Sequence, residues 1–209
     1  WFLPTVLPRR CIDAVHCGRC GKCCTRELNN HIFLLEHDVE NAIGIDPSAI
    51  EPAPYPEFCD QEGTLYVSGY ALRMRNDREG SCWFLNGGKC RIYEQRFSCC
   101  RIYPHMLRRS AGAPGHVSWR HFARRGSHGI KDSEILYEDS LTLAREVKEY
   151  ENAFLSQQIS FLECIHEYFT VHGLRHDPVL LRKRSGGSKN WVPERIKVFH
   201  YGQLEEWQD

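Results

Sequence analysis

The sequence predicts an α+β fold, in which a small cysteine-rich domain with short hairpins packs against C-terminal helices. Eleven cysteines are present, and most of them fall within residues 16–105, where no long apolar periodicity runs. After residue 131 the apolar residues instead recur at helical spacing. We therefore expect a cysteine-cluster domain with an N-terminal arm over residues 1–130, and a helical segment packed on it over residues 131–209.

The first regular element is expected shortly after residue 30. The stretch from Ile32 to Ile43 has the pattern of a short strand that runs into a helix. Asp38 is placed to cap the next turn, and Gly44 is expected to end the helix. The three prolines of EPAPYPE, residues 51–57, then predict a loop.

Strand and turn signals follow in the second part of the cysteine-rich stretch. TLYVSGYALRM, residues 64–74, alternates as a strand does, and NDREG, residues 76–80, is a turn signal. CWFL, NGG and KCRIY then follow one another, which predicts a tight hairpin. Cys82 and Cys90 are expected on this hairpin or beside it.

The C-terminal part changes to a helical period. One helical face is formed by apolar residues spaced by seven, four, three and four positions: Leu136, Leu143, Val147, Tyr150 and Phe154. Ser160 and Glu163 match a capping box, which predicts that a second helix begins there. Gly173 is expected to close that helix. Cys164 shares the apolar face of the second helix and is expected to be a core thiol.

Composition excludes several classes of function. The chain has 27 Lys and Arg against 27 Asp and Glu, so its bulk charge indicates neither nucleic acid nor a membrane surface as a partner. No run of about 18 apolar residues is present, and we expect no membrane span. The opening WFLPTVLPRR lacks the charged start and the cleavage pattern of a signal peptide. We therefore expect a cytoplasmic protein. The arginine-rich stretch 108–125 is expected to be a solvated or protein-docking face.

The motif HCGRCGKCC, residues 16–24, is the strongest chemical signal in the chain. Cysteines separated by two intervening residues can bring three thiolates to one compact centre, and the glycines between them permit left-handed backbone. Four thiolates suit zinc or an iron–sulfur cluster. Cys23 and Cys24 are adjacent and point to opposite sides of an extended chain, so they could serve two sites, or one of them could be a spectator.

A second cysteine group reads CWFLNGGKCRIYEQRFSCCRIYP, residues 82–104. Together with the first group it resembles the YkgJ-type CxxCxxCC cysteine-cluster family, which is described as zinc- or iron-chelating. The cysteines that match the family pattern are Cys17, Cys20, Cys23, Cys24, Cys82, Cys90 and Cys100. Other matches are Phe84, Leu85, Ile92, Tyr93, Arg96, Arg101, Tyr103 and Pro104.

The sequence departs from the family pattern at three places. Phe97 stands where the family usually has proline, and Cys99 is an additional cysteine. Many relatives carry a later Cys-Pro-Gly, where this chain reads RRGSHG without cysteine. Cys59, Cys99 or His128 could therefore supply the last ligand, whereas Cys11 in the N-terminal arm is expected to be a free thiol.

The resemblance implies metal binding without fixing one activity. Seven cysteines exceed the four that one [4Fe–4S] cluster or one zinc ion needs, so a second metal site is possible. The expected cofactor is one or two [4Fe–4S] clusters, with zinc as the alternative. The expected function is electron transfer, or an accessory or assembly role in a redox complex with a protein partner. Two alternatives remain open: a protein lysine N-methylase resembling the flagellin-modifying relatives, and a structural zinc module that binds protein or nucleic acid. No catalytic residue can be nominated.

Overall fold

The structure is a computed structural model that describes residues 14–27, 29, 31–103, 105–109, 117–121, 130–132, 137–185 and 195–207. The strands before the hairpin are β1 (Ala14–His16), β2 (Ile32–Phe33), β3 (Ile50–Pro52), β4 (Phe58–Cys59), β5 (Leu65–Val67) and β6 (Tyr70–Leu72). The later strands are β7 (Leu85–Asn86), β8 (Lys89–Cys90), β9 (His105–Arg109), β10 (Val117–His121), β11 (Ile130–Asp132), β12 (Ile196–His200) and β13 (Gln203–Glu206). The helices are α1 (Glu36–Ile45), α2 (Ser98–Ile102), α3 (Tyr137–His172) and α4 (Pro178–Ser185). This mixture confirms the predicted α+β class.

The strands form several small sheets. Four strands lie in the order β13-β12-β5-β4, in which β12 runs parallel to β5 and the other pairs are antiparallel. Three more form the antiparallel sheet β2-β6-β3, and the pairs β7-β8, β9-β10 and β1-β11 are two-stranded. The parallel pairing of β12 with β5 places the end of the chain beside its cysteine-rich half. A domain boundary at residue 130 stays a prediction.

A continuous apolar core supports the cysteine-rich half. Its fully buried side chains come from α1, β5, β6, the β7-β8 hairpin, the residue before α2, and β12: Val39, Leu65, Val67, Leu72, Phe84, Phe97 and Val198. Burial of one such side chain contributes roughly 1.5–3 kcal/mol. The elements of this region are only two to ten residues long, so their stability depends on this shared core rather than on their own backbone hydrogen bonds.

β1 (Ala14–His16) precedes the first element that the sequence predicts, whereas β2 and α1 form where they are expected, with two differences at the ends of α1. Leu35, not Asp38, is the N-terminal cap of α1, and the carboxylate of Asp38 instead accepts a hydrogen bond from the backbone N–H of Ser98, 60 residues away. Gly44 lies inside the last turn, and the helix ends one residue later at Ile45. The predicted strand 64–74 is two strands, because the chain bends at Ser68 and Gly69.

The C-terminal half differs more from its prediction. α3 is one continuous helix of 36 residues, so the predicted second start at Ser160 is wrong. A capping box marks a helix start only where the chain before it leaves the helix, and the preceding residues contain neither glycine nor proline to cause that. The end directly before Gly173 is confirmed. The hairpin of β12 and β13 was not predicted, since residues 131–209 were expected to be mostly helical.

In the part of the chain that the structure describes, every helix is too short or too polar to cross a lipid bilayer.

Candidate metal centre

Seven cysteines line one cavity of about 60 Å³. They come from the loop after β1, from the β7-β8 hairpin and from α2: Cys17, Cys20, Cys23, Cys24, Cys82, Cys90 and Cys100. These are the seven cysteines that match the family pattern in the sequence. Two groups separated by some 60 residues of chain therefore meet at one cavity.

The loop that carries the first four cysteines turns tightly. Arg19 and Gly21 both have left-handed backbone, with φ of 54° and 73°. A short 3₁₀ turn follows over Lys22–Cys24, and its last N–H donates to the carbonyl of Gly21 at 2.9 Å. A Cβ at Gly21 would lie only 3.1 Å from the carbonyl oxygen of Gly88. Both the backbone conformation and the close approach to the hairpin therefore require glycine at this position.

Backbone hydrogen bonds join this loop to the hairpin segment. The N–H of Cys82 donates to the carbonyl of Cys24 at 2.7 Å, and Thr25 forms an antiparallel bridge with Ser81. The hairpin itself is confirmed: Leu85 pairs with Cys90, and the turn consists of two glycines in left-handed conformation, Gly87 and Gly88. Cys82 forms an antiparallel bridge with Met74 just before the turn that leads into β7, Cys90 ends β8, and both line the cavity.

The short helix α2 brings the seventh cysteine, Cys100. Phe97, the residue before the helix, is fully buried and its ring lies 6.0 Å from that of Phe84. Its φ of −61° is close to the value that a proline ring imposes. Phe97 therefore has a φ that proline could also adopt, and it adds an aromatic side chain to the core.

The other predicted ligands lie elsewhere. Cys59 is buried on β4, and its thiol donates to the carbonyl of Asp60 at 3.4 Å, away from the cavity. Cys99 is not part of the cavity wall, although its sulfur lies 3.9 Å from that of Cys100. His128 and Cys11 lie outside the described residues. Cys164, expected in the core, is only partly buried: it packs against the apolar cluster around Phe161, and its thiol donates to the carbonyl of Gly202 at 3.7 Å.

The family model named CxxCxxCC and described as a "putative zinc- or iron-chelating domain" matches residues 16–128. The chain belongs to the CxxCxxCC family. The match contains all seven cavity cysteines together with Cys59 and Cys99. No curated protein and no solved structure matches the chain.

The cavity of this CxxCxxCC protein crowds thiols that resist ionisation. Burial raises the pKa of Cys82 to about 12 and raises that of Cys90 as well. The pKa of Cys100 is raised well above its usual value by its hydrogen bond with Cys99 and by burial. In the adjacent pair, the hydrogen bond with Cys24 lowers the pKa of Cys23 to about 7, whereas the pKa of Cys24 rises. A bound metal cation would lower the pKa of these thiols, because metal ligation deprotonates thiols outright.

Two arginines supply positive charge to the cavity wall. Arg96 and Arg19 line the cavity and stack on the ring of Tyr93 at 4.0 Å and 3.7 Å. The charge of Arg96 contributes to lowering the pKa of Cys23. The hydroxyl of Tyr93 donates to the carbonyl of Cys17 at 3.5 Å, and so ties this stack to the first cysteine. In the sequence, Arg96 is recognisable only through its place in the family pattern.

The donor set fits a thiolate-ligated metal. Among the described residues that line the cavity, none is Asp, Glu or His, so the available ligands are soft sulfur donors. No group of three or more His, Cys, Asp or Glu side chains in the described part of the chain is already arranged to hold a single metal ion. The cavity is several times larger than the roughly 10–15 Å³ that one water molecule needs. Its seven cysteines would hold a bound group, and Arg96 and Arg19 would offset part of its negative charge.

Proposed function

We propose that the seven cavity cysteines bind a metal centre, an iron–sulfur cluster in preference to zinc, and that the protein acts in electron transfer or as an accessory or assembly subunit of a redox complex. The observation that carries this proposal is the convergence of seven thiols from three chain segments on one cavity. Membership of a zinc- or iron-chelating family supports the metal.

The room between the thiols favours iron–sulfur over zinc. A structural zinc site closes with four ligands in a tight tetrahedron around one ion, whereas this cavity leaves about 60 Å³ between its seven thiols. One [4Fe–4S] cluster also uses four cysteines, and two clusters need eight. Cys99, beside Cys100, and His128 are the candidates for an eighth ligand.

The lining of the cavity favours a carrier over an enzyme. The described cavity wall offers no carboxylate or imidazole, the side chains that most often catalyse proton transfer, and its thiols are the groups that the proposed metal would occupy. Cys20 is exposed, so a cluster bound here would lie near the surface and within reach of a protein partner. Exposed thiolate-ligated clusters are damaged by oxygen, which suits the reducing cytoplasm.

Purification without oxygen, followed by metal and sulfide analysis and an absorption spectrum, tests the proposal. An iron–sulfur protein would be brown, would contain iron and acid-labile sulfide, and would absorb near about 400 nm. A colourless protein with stoichiometric zinc would support the zinc module instead, and a metal-to-protein ratio near zero would contradict both. Binding of S-adenosylmethionine, measured by calorimetry on the same sample, would support the lysine methylase alternative.

A further inference from the structure

A buried carboxylate outside the cavity holds the helix that carries Cys100. Asp38 lies in the first turn of α1 and its side chain is only 2% exposed. Its Oδ2 accepts a hydrogen bond from the backbone N–H of Ser98 at 2.9 Å, at the first residue of α2. Asp38 therefore connects two helices that are far apart in the sequence, and only one of them contributes a cysteine to the cavity.

The helix α2 depends on this contact more than a longer helix would. It has only five residues, and Phe97 at its N-terminal cap makes no side-chain hydrogen bond to the first turn. The first N–H groups of any helix need partners, and a carboxylate there also interacts favourably with the helix dipole. Asp38 thus caps the N-terminus of α2 from another helix, a role that a Ser, Thr or Asp at the N-cap position usually fills.

Further groups surround the same serine. The Oγ of Ser98 lies 2.9 Å from Nε2 of His37 and 3.3 Å from Nη2 of Arg101, and Nε2 of His37 lies 3.5 Å from the carboxylate of Asp38. Burial raises the pKa of Tyr150 on α3, and Cys99, Asp38 and Cys100 raise it further. The start of α2 is therefore contacted by side chains of α1 and of α2 itself, and α3 packs against α2.

We infer that Asp38 is a positioning residue for the metal centre, which fixes α2 so that Cys100 faces the other six cavity cysteines. The inference rests on the proposed function, because it assigns Asp38 a role toward the bound metal. Groups that orient metal ligands from outside the coordination sphere typically change metal affinity by about 10–100-fold when they are removed. The carboxylate acts through geometry and touches no metal itself.

Metal affinity of substituted proteins tests this role. The metal-stripped full chain would be titrated anaerobically with Zn²⁺ against a chromogenic chelator, and with Co²⁺ to record the thiolate charge-transfer bands. Asp38→Ala is expected to weaken Zn²⁺ binding by about 10–100-fold and to reduce the Co²⁺–thiolate bands. Asp38→Asn keeps an oxygen that can accept from the Ser98 N–H, and is expected to lose less than about tenfold.

Asp177→Ala is the matched control. Asp177 caps α4 through hydrogen bonds from the N–H groups of Val179 and Leu180, at 2.8 and 2.9 Å, and α4 carries no cavity cysteine. Loss of this cap should lower stability without changing Zn²⁺ affinity per folded molecule. Equal affinities of Asp38→Ala, Asp177→Ala and the unsubstituted protein would overturn the inference and leave the proposed function intact.

Two further outcomes distinguish failure of the proposed function from failure of the role of Asp38. Unsubstituted protein that takes up neither iron during purification nor Zn²⁺ afterwards would contradict the proposed function itself. If Asp38→Ala does not fold, Asp38→Glu replaces it, since it keeps the charge but moves the carboxylate by one methylene. The inference then expects Asp38→Asn to bind Zn²⁺ more tightly than Asp38→Glu, and the reverse order would overturn it.

Discussion

The cysteine-rich half and the long helix α3 are built in opposite ways. Between residues 14 and 103 most elements are two or three residues long, and the segments meet through a shared core, single backbone hydrogen bonds and seven thiols. α3 runs for 36 residues on its own regular hydrogen bonds. The comparison indicates that the first region depends on what the thiols bind, whereas the helix depends on its sequence and on one packed face.

Metal removal gives the largest expected difference between the two regions. Structural metal sites contribute on the order of 10 kcal/mol to small domains, so a chelator should cost the cysteine-rich half most of its stability. Hydrogen exchange followed by mass spectrometry would show this as lost protection of the amides of Cys82 and the β7-β8 hairpin. Amides in the middle of α3 should keep far more protection. Equal loss of protection in both regions would show that the contrast is wrong.

Substitution of buried cysteines sharpens the comparison by separating ligation from burial. Cys82 and Cys59 are both buried, at 5% and 0% exposure, but only Cys82 faces the cavity. Cys82→Ser is expected to reduce the metal content of protein purified without oxygen to half or less. Cys59→Ser should keep the full metal content and lose only stability. The measurement is metal per folded protein, and retention of metal by Cys82→Ser would remove this residue from the ligand set.

Substitution of Gly21, in the cysteine loop after β1, is expected to have a smaller effect on stability and metal binding. Gly21→Ala places a Cβ on left-handed backbone and 3.1 Å from the carbonyl of Gly88, which should cost about 1–3 kcal/mol and weaken metal binding. Gly44→Ala is its matched control, because Gly44 lies in α1 with open space around it and should gain roughly 0.5–1 kcal/mol. Urea unfolding of both variants gives the two free energies, and a neutral Gly21→Ala would show that the loop can relax.

The same contrast explains what sequence reasoning could and could not predict. The cysteine spacing, the two-glycine hairpin and the end of α3 before Gly173 depend on neighbouring residues, and all three are present in the structure. The capping of α2 by Asp38 and the pairing of β12 with β5 join residues 60 or more positions apart, for which local patterns carry no signal. The same holds for the stacking of Arg19 on Tyr93, because the two residues lie 74 positions apart.

Ser160 offers the finest test of the helical half. Replacing a helix-capping serine with alanine lowers the stability of a protein by about 1 kcal/mol. Replacing a serine inside a helix raises it by up to about 0.5 kcal/mol, because alanine has the higher helix propensity. Ser160 is exposed in the interior of α3, so Ser160→Ala should stabilise the protein slightly. Thermal unfolding measured with bound metal would detect the sign. A clear loss of stability would mean that Ser160 caps a second helix. α3 would then consist of two shorter helices, and its contrast with the short elements of the cysteine-rich half would be weaker.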